Sequence, residues 1–388
     1  MYYSLLRPLL FQLEPERAHT VGLNLARIGT RLGVAASARR ERVVPRRIMG
    51  LEFPNPVGLA AGFDKDGRYL DVIARLGFGF VELGTVTPRP QPGNPPPRLF
   101  RLPHQEGLIN RMGFNNGGAG ALVRNLERGR RNGFRGVVGI NIGKNRETPP
   151  QRAADDYACA LETVYPVADY VTINLSSPNT PGLRALQREA VILRGLLYRL
   201  RNERRRLEQA YDKYVPLLIK LAPDWGPGEL PRTLDLLLEY GLDGIVATNT
   251  TVSREGLVAE ASVREEGGLS GRPLRERAEE VLEQIAAHTQ GAVTLMGVGG
   301  LSSEHDVMRR FQAGADMVQL YTGLVYRGPE LIAEAIRAAN AVRRTGTRAR
   351  PRPPAGLLLT GPEGVGNSEA RQGLQGPRRL AGPPLSAA

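Results

Sequence analysis

The sequence contains a single cysteine, Cys159, among 388 residues. An internal disulfide is therefore excluded, and a reducing compartment is expected. No run of about 18 or more apolar residues occurs, so no transmembrane helix is predicted. The first residues lack the charged region, apolar run and cleavage site of a secretory signal, so none is expected. Since 41% of the residues are hydrophobic, the chain is expected to fold around an apolar core.

Histidine is also scarce, with four in the whole chain. His19, His104, His288 and His305 are scattered away from the predicted strand ends, and none has carboxylate or cysteine partners at metal-ligand spacing. This argues against a metal site and against a histidine base. A Walker motif and a GxGxxG dinucleotide fingerprint are both missing. Amides, hydroxyls and ammonium groups are left to carry the chemistry.

Lysine is as rare as histidine: four lysines stand beside forty-eight arginines, and the formal net charge is +13. Such a charge first suggests nucleic acid. From Arg343 onward, however, eight arginines face two glutamates, and elsewhere no aromatic residues are interleaved with the basic ones. Nucleic acid is therefore not expected as a main partner; an anionic substrate, an anionic cofactor or a lipid surface fits better. Lysine is expected where an ammonium is specifically needed, with Lys65, Lys144, Lys213 and Lys220 as candidates, although Lys213 lies in an unremarkable position before a strand.

The composition predicts three parts. Residues 1–40 read as two amphipathic helices, which either pack on the main domain or form an apolar lid facing a membrane. Residues 41–344 form the main domain. Residues 345–388 are rich in Pro, Gly and Arg with little apolar surface, which predicts a disordered tail.

The main domain alternates short apolar strands with helices, which indicates a parallel sheet covered on its outer face. Eight such units in about 290 residues favour an α/β fold, the (β/α)₈ TIM barrel, over an open sheet. The predicted strands are Val57–Ala61, Gly79–Gly84, Val137–Ile142, Tyr170–Asn174, Pro216–Leu221, Gly244–Asn249, Val293–Gly297 and Met317–Tyr321. The predicted helices are Asp66–Leu76, Asn116–Arg130, Ala153–Val164, Leu186–Leu207, Glu229–Tyr240, Leu274–His288, Ser303–Ala313 and Pro329–Ala341. The Pro- and Arg-rich insert from Thr87 to Asn110 is predicted to form an excursion at the top of the barrel.

Polar residues follow nearly every predicted strand, at the barrel end where active sites lie. The glycine turn 297–300 and Tyr321-Thr322-Gly323 follow the last two strands. Bare glycines expose backbone N–H groups, and the N-terminus of a helix beginning near Ser302 favours an anion. These residues predict a phosphate site for a mononucleotide such as FMN rather than for NAD.

The loop Ile-Asn-Leu-Ser-Ser-Pro-Asn-Thr-Pro-Gly, residues 173–182, follows the fourth strand. Its prolines stiffen it, which suits a loop that aims hydroxyls and amides at a small ligand. Ser177 is the candidate base. An unassisted serine is a poor base, so Ser177 would need bound water and Thr180.

This loop and five further motifs resemble those of the dihydroorotate dehydrogenases. The motifs are Ala-Ala-Gly-Phe-Asp-Lys (60–65), Gly-Thr-Val-Thr-Pro-Arg-Pro-Gln-Pro-Gly-Asn (84–94), Asn-Arg-Met-Gly-Phe-Asn-Asn (110–116), Gly-Ile-Asn-Ile-Gly-Lys-Asn (139–145) and Gly-Gly-Leu-Ser-Gly-Arg-Pro (267–273). The N-terminal helical pair and a serine at the base position resemble the membrane-associated, quinone-using class 2. The resemblance covers residues 1 to about 342; Phe63, where the family suggests a leucine-like residue, and the tail depart from it.

The resemblance implies oxidation of (S)-dihydroorotate to orotate in pyrimidine (UMP) synthesis, with FMN as hydride acceptor and a membrane quinone as final acceptor. Ser177 would take the substrate proton. The implied substrate residues are Lys65, Asn110, Arg111, Met112, Gly113, Phe114, Asn174, Asn179, Asn249 and Thr250. The implied FMN residues are Ala60, Ala61, Gly62, Phe63, Asp64, Thr85, Asn141, Asn174, Lys220, Thr248, Gly271, Gly300, Tyr321 and Thr322. His19, Arg101 and Tyr321 would line the inner end of a quinone tunnel entered through the N-terminal helices.

A bacterial enzyme bound peripherally to the cytoplasmic side of the inner membrane is expected, with the N-terminal helices on the lipid surface. One alternative enzyme is another FMN barrel acting on a pyrimidine or a 2-hydroxy acid, which the 173–182 loop and the helical pair disfavour. A nucleic-acid-binding module is the alternative from a different class, and the charge supports it only for the tail.

Overall fold

The structure is a computed structural model that describes residues 2–31, 44–259 and 261–344. Its strands are β1 Arg46–Ile48, β2 Leu51–Phe53, β3 Val57–Leu59, β4 Phe80–Val86, β5 Leu99–Leu102, β6 Gly107–Asn110, β7 Val137–Ile142, β8 Tyr170–Asn174, β9 Leu217–Leu221, β10 Gly244–Ala247, β11 Gly268–Gly271, β12 Thr294–Val298 and β13 Met317–Leu320. Its α-helices are α1 Tyr2–Phe11, α2 Pro15–Arg31, α3 Leu70–Ile73, α4 Ala119–Arg131, α5 Ala153–Val164, α6 Ala185–Arg188, α7 Ala190–Tyr211, α8 Glu229–Glu239, α9 Arg275–Thr289, α10 Glu304–Gln312, α11 Thr322–Arg327 and α12 Glu330–Arg344.

Eight parallel strands close into a barrel in the order β3-β4-β7-β8-β9-β10-β12-β13, and β13 pairs back to β3. This confirms the predicted (β/α)₈ fold. All eight predicted barrel strands are present, with ends shifted by at most two residues. Their near-continuous apolar runs are buried on both faces, as parallel strands between a core and a helix layer require.

Two predicted helices differ from the observed ones. The predicted helix Asp66–Leu76 is shortened to α3, because the Asp64 carboxylate accepts from the backbone N–H groups of Arg68 and Tyr69 and Gly67 has a φ of +69°. The predicted helix Leu186–Leu207 is divided into α6 and α7 at Glu189, whose backbone is extended.

The barrel interior is filled by pairing large side chains with glycines. The Tyr170 ring lies where a Cβ of Gly139 would be, 2.0 Å from the ring carbon that bears the hydroxyl. Phe80 occupies the space beside Gly58 in the same way. Phe53, from the antiparallel β1–β2 hairpin, packs edge-on against Phe80 at 5.4 Å between ring centroids and closes the N-terminal end of the barrel.

The predicted excursion at 87–110 contributes β5 and β6, which pair antiparallel. A third strand, β11, comes from the segment after β10 and pairs with β6, so that Gly268 is opposite Asn110 and Gly271 is opposite Gly107. This three-stranded sheet lies at the carboxyl end of the barrel, because it follows β4 and β10 and supplies residues that line the pocket found there.

Helices α1 and α2 form the predicted N-terminal pair and pack on the barrel. The Tyr3 hydroxyl donates to the Val325 carbonyl at 2.6 Å, and Arg7 donates to the Tyr326 carbonyl at 2.8 Å. Leu5 and Leu9 are 73% and 68% exposed, so an apolar face of α1 points away from the barrel. Among the described helices none is both long and apolar enough to cross a bilayer. The expected domain boundary at residue 40 and the tail 345–388 lie outside the described residues.

Candidate active site

An open pocket lies at the carboxyl ends of the barrel strands, beneath the β5-β6-β11 sheet. Its empty volume, including its open mouth, is about 1090 Å³. Residues from the ends of seven of the eight barrel strands line it, together with Leu99, Leu108, Ser270 and Gly271 of the small sheet. The site is therefore held by rigid elements on two sides.

Ser177 lies on the loop after β8 and is 6% exposed, with its side chain on the pocket wall. Its Oγ accepts a hydrogen bond from the Asn179 backbone N–H at 3.3 Å, so its own proton is not committed to that bond. The Thr180 hydroxyl is buried nearby on the same loop, without a hydrogen-bond partner among the described residues. The stiff loop thus supplies two available hydroxyls within four residues.

Three asparagines connect the barrel interior with the pocket. Asn141 Nδ2 donates to the buried Glu82 carboxylate at 2.8 Å, and Asn141 Oδ1 accepts from Asn174 Nδ2 at 3.1 Å and from the Thr85 hydroxyl at 2.6 Å. Asn174 Oδ1 accepts in turn from Asn249 Nδ2 at 3.3 Å. A carboxylate only accepts hydrogen bonds. Glu82 therefore fixes which end of each of these three asparagine amides donates and which end accepts.

The Lys220 ammonium enters the pocket from β9 and has no hydrogen-bond partner among the described residues. Burial lowers the pKa of Lys220, and the negative charge of Glu82 opposes that shift. A buried cation without a partner is costly, so this one suits an electronegative ligand atom in the pocket.

Lys65 enters from the loop after β3, where its Nζ donates to Asn115 Oδ1 at 2.6 Å. Burial lowers the pKa of Lys65 to about 8, against the attraction of Glu16. The ammonium is therefore charged at neutral pH and close to its titration range, and it suits an anionic group of a ligand.

The far end of the pocket is built from glycine backbone. Gly300 has a φ of +76°, and a Cβ there would lie 2.3 Å from Arg275 Cα, so only glycine fits this turn. Helix α11 begins at Thr322 beside it, and the Thr322 and Ser270 hydroxyls are 2.9 Å apart. The predicted helix near Ser302 begins at Glu304, and the Ser303 hydroxyl caps its Asp306 N–H. The glycine turn and the first residues of α11 line the pocket, whereas the capped start of α10 does not.

The candidate quinone residues form two groups. The His19 ring stacks edge-on against Phe63 at 4.8 Å, and Phe63 against Tyr321 at 5.8 Å. His19 Nε2 donates to the Phe63 carbonyl at 2.8 Å, and burial lowers the pKa of His19, which favours the uncharged ring. Burial raises the pKa of Tyr321 to about 12. Arg101 instead binds the carbonyls of Phe11 and Leu13 at the end of α1.

Most of the residues named from the sequence line this pocket: Ser177, Lys65, Asn110, Met112, Phe114, Asn174, Asn179, Asn249, Thr250, Ala60, Ala61, Gly62, Thr85, Lys220, Thr248, Gly271, Gly300, Tyr321 and Thr322.

Five of the named substrate and FMN residues do not line the pocket, and neither do His19 and Arg101. Asp64 caps the turn that precedes α3, and Asn141 lies behind Thr85 and Asn174. Arg111 pairs with Glu265 at 2.6 Å, and Gly113 offers its carbonyl to Gln91. Phe63 faces His19 instead.

Four polar or charged residues at the site were missed from the sequence. Ser270 belongs to a motif quoted above, and its hydroxyl faces the pocket beside Thr322. Glu82 and Gln319 are polar residues inside otherwise apolar strands, which is a visible signal, and Gln319 Nε2 donates to Glu82 at 2.7 Å. Arg310 lies on a polar helix and gave no signal in so arginine-rich a chain.

Comparisons with known proteins agree with one another. The sequence model of the dihydroorotate dehydrogenase family matches residues 43–342. The dihydroorotate dehydrogenase (quinone) of Halorhodospira halophila is 63% identical over 337 residues, covering 87% of this chain and 97% of the relative. That of Alkalilimnicola ehrlichii is 52% identical over 340 residues, covering 87% and 98%.

The fold comparison leads to the same family. The crystal structure of DHODH from Eimeria tenella in complex with ferulenol has a TM-score of 0.78 and 37% identity, covering 86% of this chain and 93% of the other. The chain therefore belongs to the dihydroorotate dehydrogenase family, in its quinone-dependent class 2.

Proposed function

We propose that this chain oxidises (S)-dihydroorotate to orotate in pyrimidine (UMP) biosynthesis, with FMN as the flavin and a membrane quinone as the final electron acceptor. One observation carries the proposal. The same pocket holds the Ser177 hydroxyl and the Lys220 ammonium, which lacks a hydrogen-bond partner among the described residues. A hydroxyl base opposite a fixed positive charge suits proton removal coupled to hydride transfer.

The pocket residues fit FMN. The glycine turn at Gly300 and the start of α11 would hold its phosphate, and Lys220 would stabilise negative charge on the isoalloxazine ring. Ala60 to Gly62, Thr85, Thr248 and Gly271 would pack around the ring and ribityl chain. Phe63, Asp64 and Asn141 would act from behind these residues. When bound, FMN supplies the hydride acceptor of the reaction.

Ser177 would remove the proton from C5 of dihydroorotate. Burial excludes bulk water from the hydroxyl, and the Thr180 hydroxyl offers the next acceptor for the proton, through a bound water. The Asn179 N–H leaves Ser177 oriented without taking up its proton. This arrangement supports a proton path along one loop.

Lys65 would bind the substrate carboxylate, and the amides of Asn110, Asn174, Asn179 and Asn249, together with Thr250, would hold the pyrimidine edge. The Thr250 hydroxyl is buried without a described partner, which supports this role. Met112 and Phe114 supply apolar walls. Arg111 and Gly113 would act by holding the 110–116 segment in place.

The quinone would approach through the helix pair. The exposed leucines of α1 support binding to a lipid surface, and the neutral aromatic group of His19, Phe63 and Tyr321 lies between α2 and the pocket. Arg101 fixes the end of α1 beside it. We infer a peripheral position on the cytoplasmic side of a bacterial inner membrane.

The test is the absorption spectrum of the purified protein without oxygen. Added dihydroorotate is expected to bleach the flavin band, and quinone to restore it. Extraction of a flavin other than FMN would contradict the cofactor assignment. A flavin that 2-hydroxy acids reduce and dihydroorotate does not would contradict the substrate assignment.

A further inference from the structure

Arg310 of α10 is completely buried beneath the glycine turn that follows β12. Its Nη1 donates to the Val298 carbonyl at 3.4 Å, and its Nη2 donates to the carbonyls of Gly299 at 3.0 Å and Arg275 at 3.2 Å. Its Nε is buried without a described partner. All the hydrogen bonds found for this guanidinium within the described residues thus go to backbone carbonyls.

The structure makes room for this side chain. A Cβ on Gly297 would lie 2.5 Å from Arg310 Cγ, so β12 has a glycine where the arginine stem passes. Burial lowers the pKa of Arg310 to about 10, and Glu279 and Asp306 oppose that shift. The guanidinium is therefore charged at neutral pH.

The acidic groups whose charge acts most on Arg310, Glu279 and Asp306, form their ion pairs with other arginines. Glu279 Oε1 pairs with Arg309, while Glu279 Oε2 is buried without a described partner, and Asp306 accepts from Ser302 and Arg275. Glu283 also acts on Arg310 through its charge. Arg310 itself forms no ion pair within the described part of the chain. A buried charge without such a partner is expensive, so an anion on the other side of the turn would compensate it.

The hydrogen bond from Arg310 to the Gly299 carbonyl also sets the direction of the next backbone N–H, that of Gly300. A peptide unit is planar, so the Gly299 carbonyl that points at Arg310 turns the Gly300 N–H to the opposite side. Gly299 and Gly300 line the pocket, and no described group accepts from the Gly300 N–H. The guanidinium and this N–H thus act on one anion position.

We propose that Arg310 is a positioning residue for the cofactor phosphate: it aims the Gly299–Gly300 turn at the phosphate and supplies the positive charge behind it. This inference rests on the proposed binding of FMN. In this proposal, Arg310 lies outside the pocket and yet determines the preference for a flavin with a phosphate over the same flavin without one.

The test compares FMN with riboflavin, which lacks the phosphate. The full-length protein is freed of flavin, and each flavin is titrated while its fluorescence is followed. Arg310→Met is expected to weaken FMN binding at least about tenfold, while riboflavin binding changes less than about twofold. Arg310→Lys keeps the charge and is expected to recover most of the preference. Arg194→Met, which breaks an exposed ion pair with Glu239 away from this turn, is expected to leave both affinities unchanged.

Arg310→Gln keeps a hydrogen-bond donor without the charge, and it replaces Arg310→Met if that variant does not fold. The same loss of the preference for FMN over riboflavin is expected. An equal loss for both flavins, or no loss, would overturn the role of Arg310. A wild-type protein that binds neither flavin would contradict the proposed function instead.

Discussion

Glu16 of α2 and Arg98, just before β5, form a two-point ion pair, with Nε to Oε1 at 2.7 Å and Nη2 to Oε2 at 3.0 Å. Arg98 also donates to the carbonyls of Pro92 and Asn94 at 2.7 and 2.8 Å. The Asn94 side chain in turn contacts the Asn179 carbonyl at 3.4 Å. One guanidinium thus joins the N-terminal helix pair to the loop next to the substrate residues.

Arg98→Met is expected to lower the free energy of unfolding by about 1–3 kcal/mol, because it leaves Glu16 partly buried without its partner. Quinone reduction is expected to suffer more than flavin reduction by dihydroorotate, since the pair holds α2. Denaturant titration and separate assays of the two half-reactions measure these effects. Arg27→Met, which breaks the more exposed pair with Asp71, is the control and should cost less than about 1 kcal/mol. Equal losses in both half-reactions would contradict the view that the Glu16–Arg98 pair holds α2 for quinone reduction.

Ser177→Ala is expected to keep the bound flavin and to slow its reduction by dihydroorotate about 10²–10⁴-fold, because the proton acceptor is lost. Stopped-flow absorbance under anaerobic conditions measures the rate. Ser176→Ala is the matched control: the Ser176 hydroxyl lies next in sequence but contacts Asn174 and Asn249 rather than lining the pocket. Unchanged reduction by Ser177→Ala would remove Ser177 from the mechanism.

Orotate affinity is expected to fall as the pH rises through about 8, because the Lys65 ammonium then loses its proton. Below that pH the ammonium is charged and affinity is level; well above it, the dissociation constant should rise about tenfold per pH unit. A pH series of orotate titrations followed by the flavin spectrum measures this. Lys65→Arg keeps its charge and should show no break near pH 8. If the orotate dissociation constant begins to rise near pH 8 in both proteins, the titrating group is not Lys65.

Glu82→Gln is expected to raise the midpoint potential of the bound flavin, because it removes the negative charge that acts on Lys220. A tenfold change in the ratio of oxidised to reduced flavin corresponds to about 30 mV for two electrons. Thr172→Val is the matched control, since it removes one 3.1 Å hydrogen bond to Glu82 and keeps the charge. Equal shifts in the two variants would show that packing, not charge, sets the potential.

Deletion of residues 1–40 is expected to abolish quinone reduction and to leave a flavoprotein that dihydroorotate still reduces. The helices carry His19 and the exposed leucines, whereas the barrel carries the pocket. Turnover with a quinone and with a water-soluble dye separates the two activities. Retained quinone turnover would contradict the role of the helix pair.

The sequence was sufficient for the barrel because its strands are short apolar runs with polar residues at one end. Ser177, Lys220 and Gly300 could be found because each lies within three residues of the end of such a strand. Asp64 and Asn141 occupy equivalent positions, yet they bind neighbouring protein groups instead of facing the pocket. The position of a residue on a strand therefore predicts that its side chain lies near the pocket, but it does not predict which group that side chain binds.

Arg310 and Glu82 illustrate what sequence pattern leaves open. Arg310 is separated by 35 residues from the Arg275 carbonyl that it binds, and Glu82 by 237 residues from Gln319. Both are held by partners distant in sequence, and their burial follows only from the closed barrel. The split at Glu189 likewise depends on local backbone geometry within a run of good helix formers.

The β5-β6-β11 sheet connects the N-terminal helix pair to the pocket. Arg101 on β5 secures α1, β6 ends in Asn110 beside the proposed pyrimidine position, and β11 ends in Gly271 beside the proposed flavin position. Because Arg101 is paired with Leu108, a slip of one residue would turn every side chain of β5 to the opposite face. We therefore expect an insertion in this hairpin to uncouple the proposed quinone reduction at the helix pair from dihydroorotate oxidation while leaving the barrel itself complete.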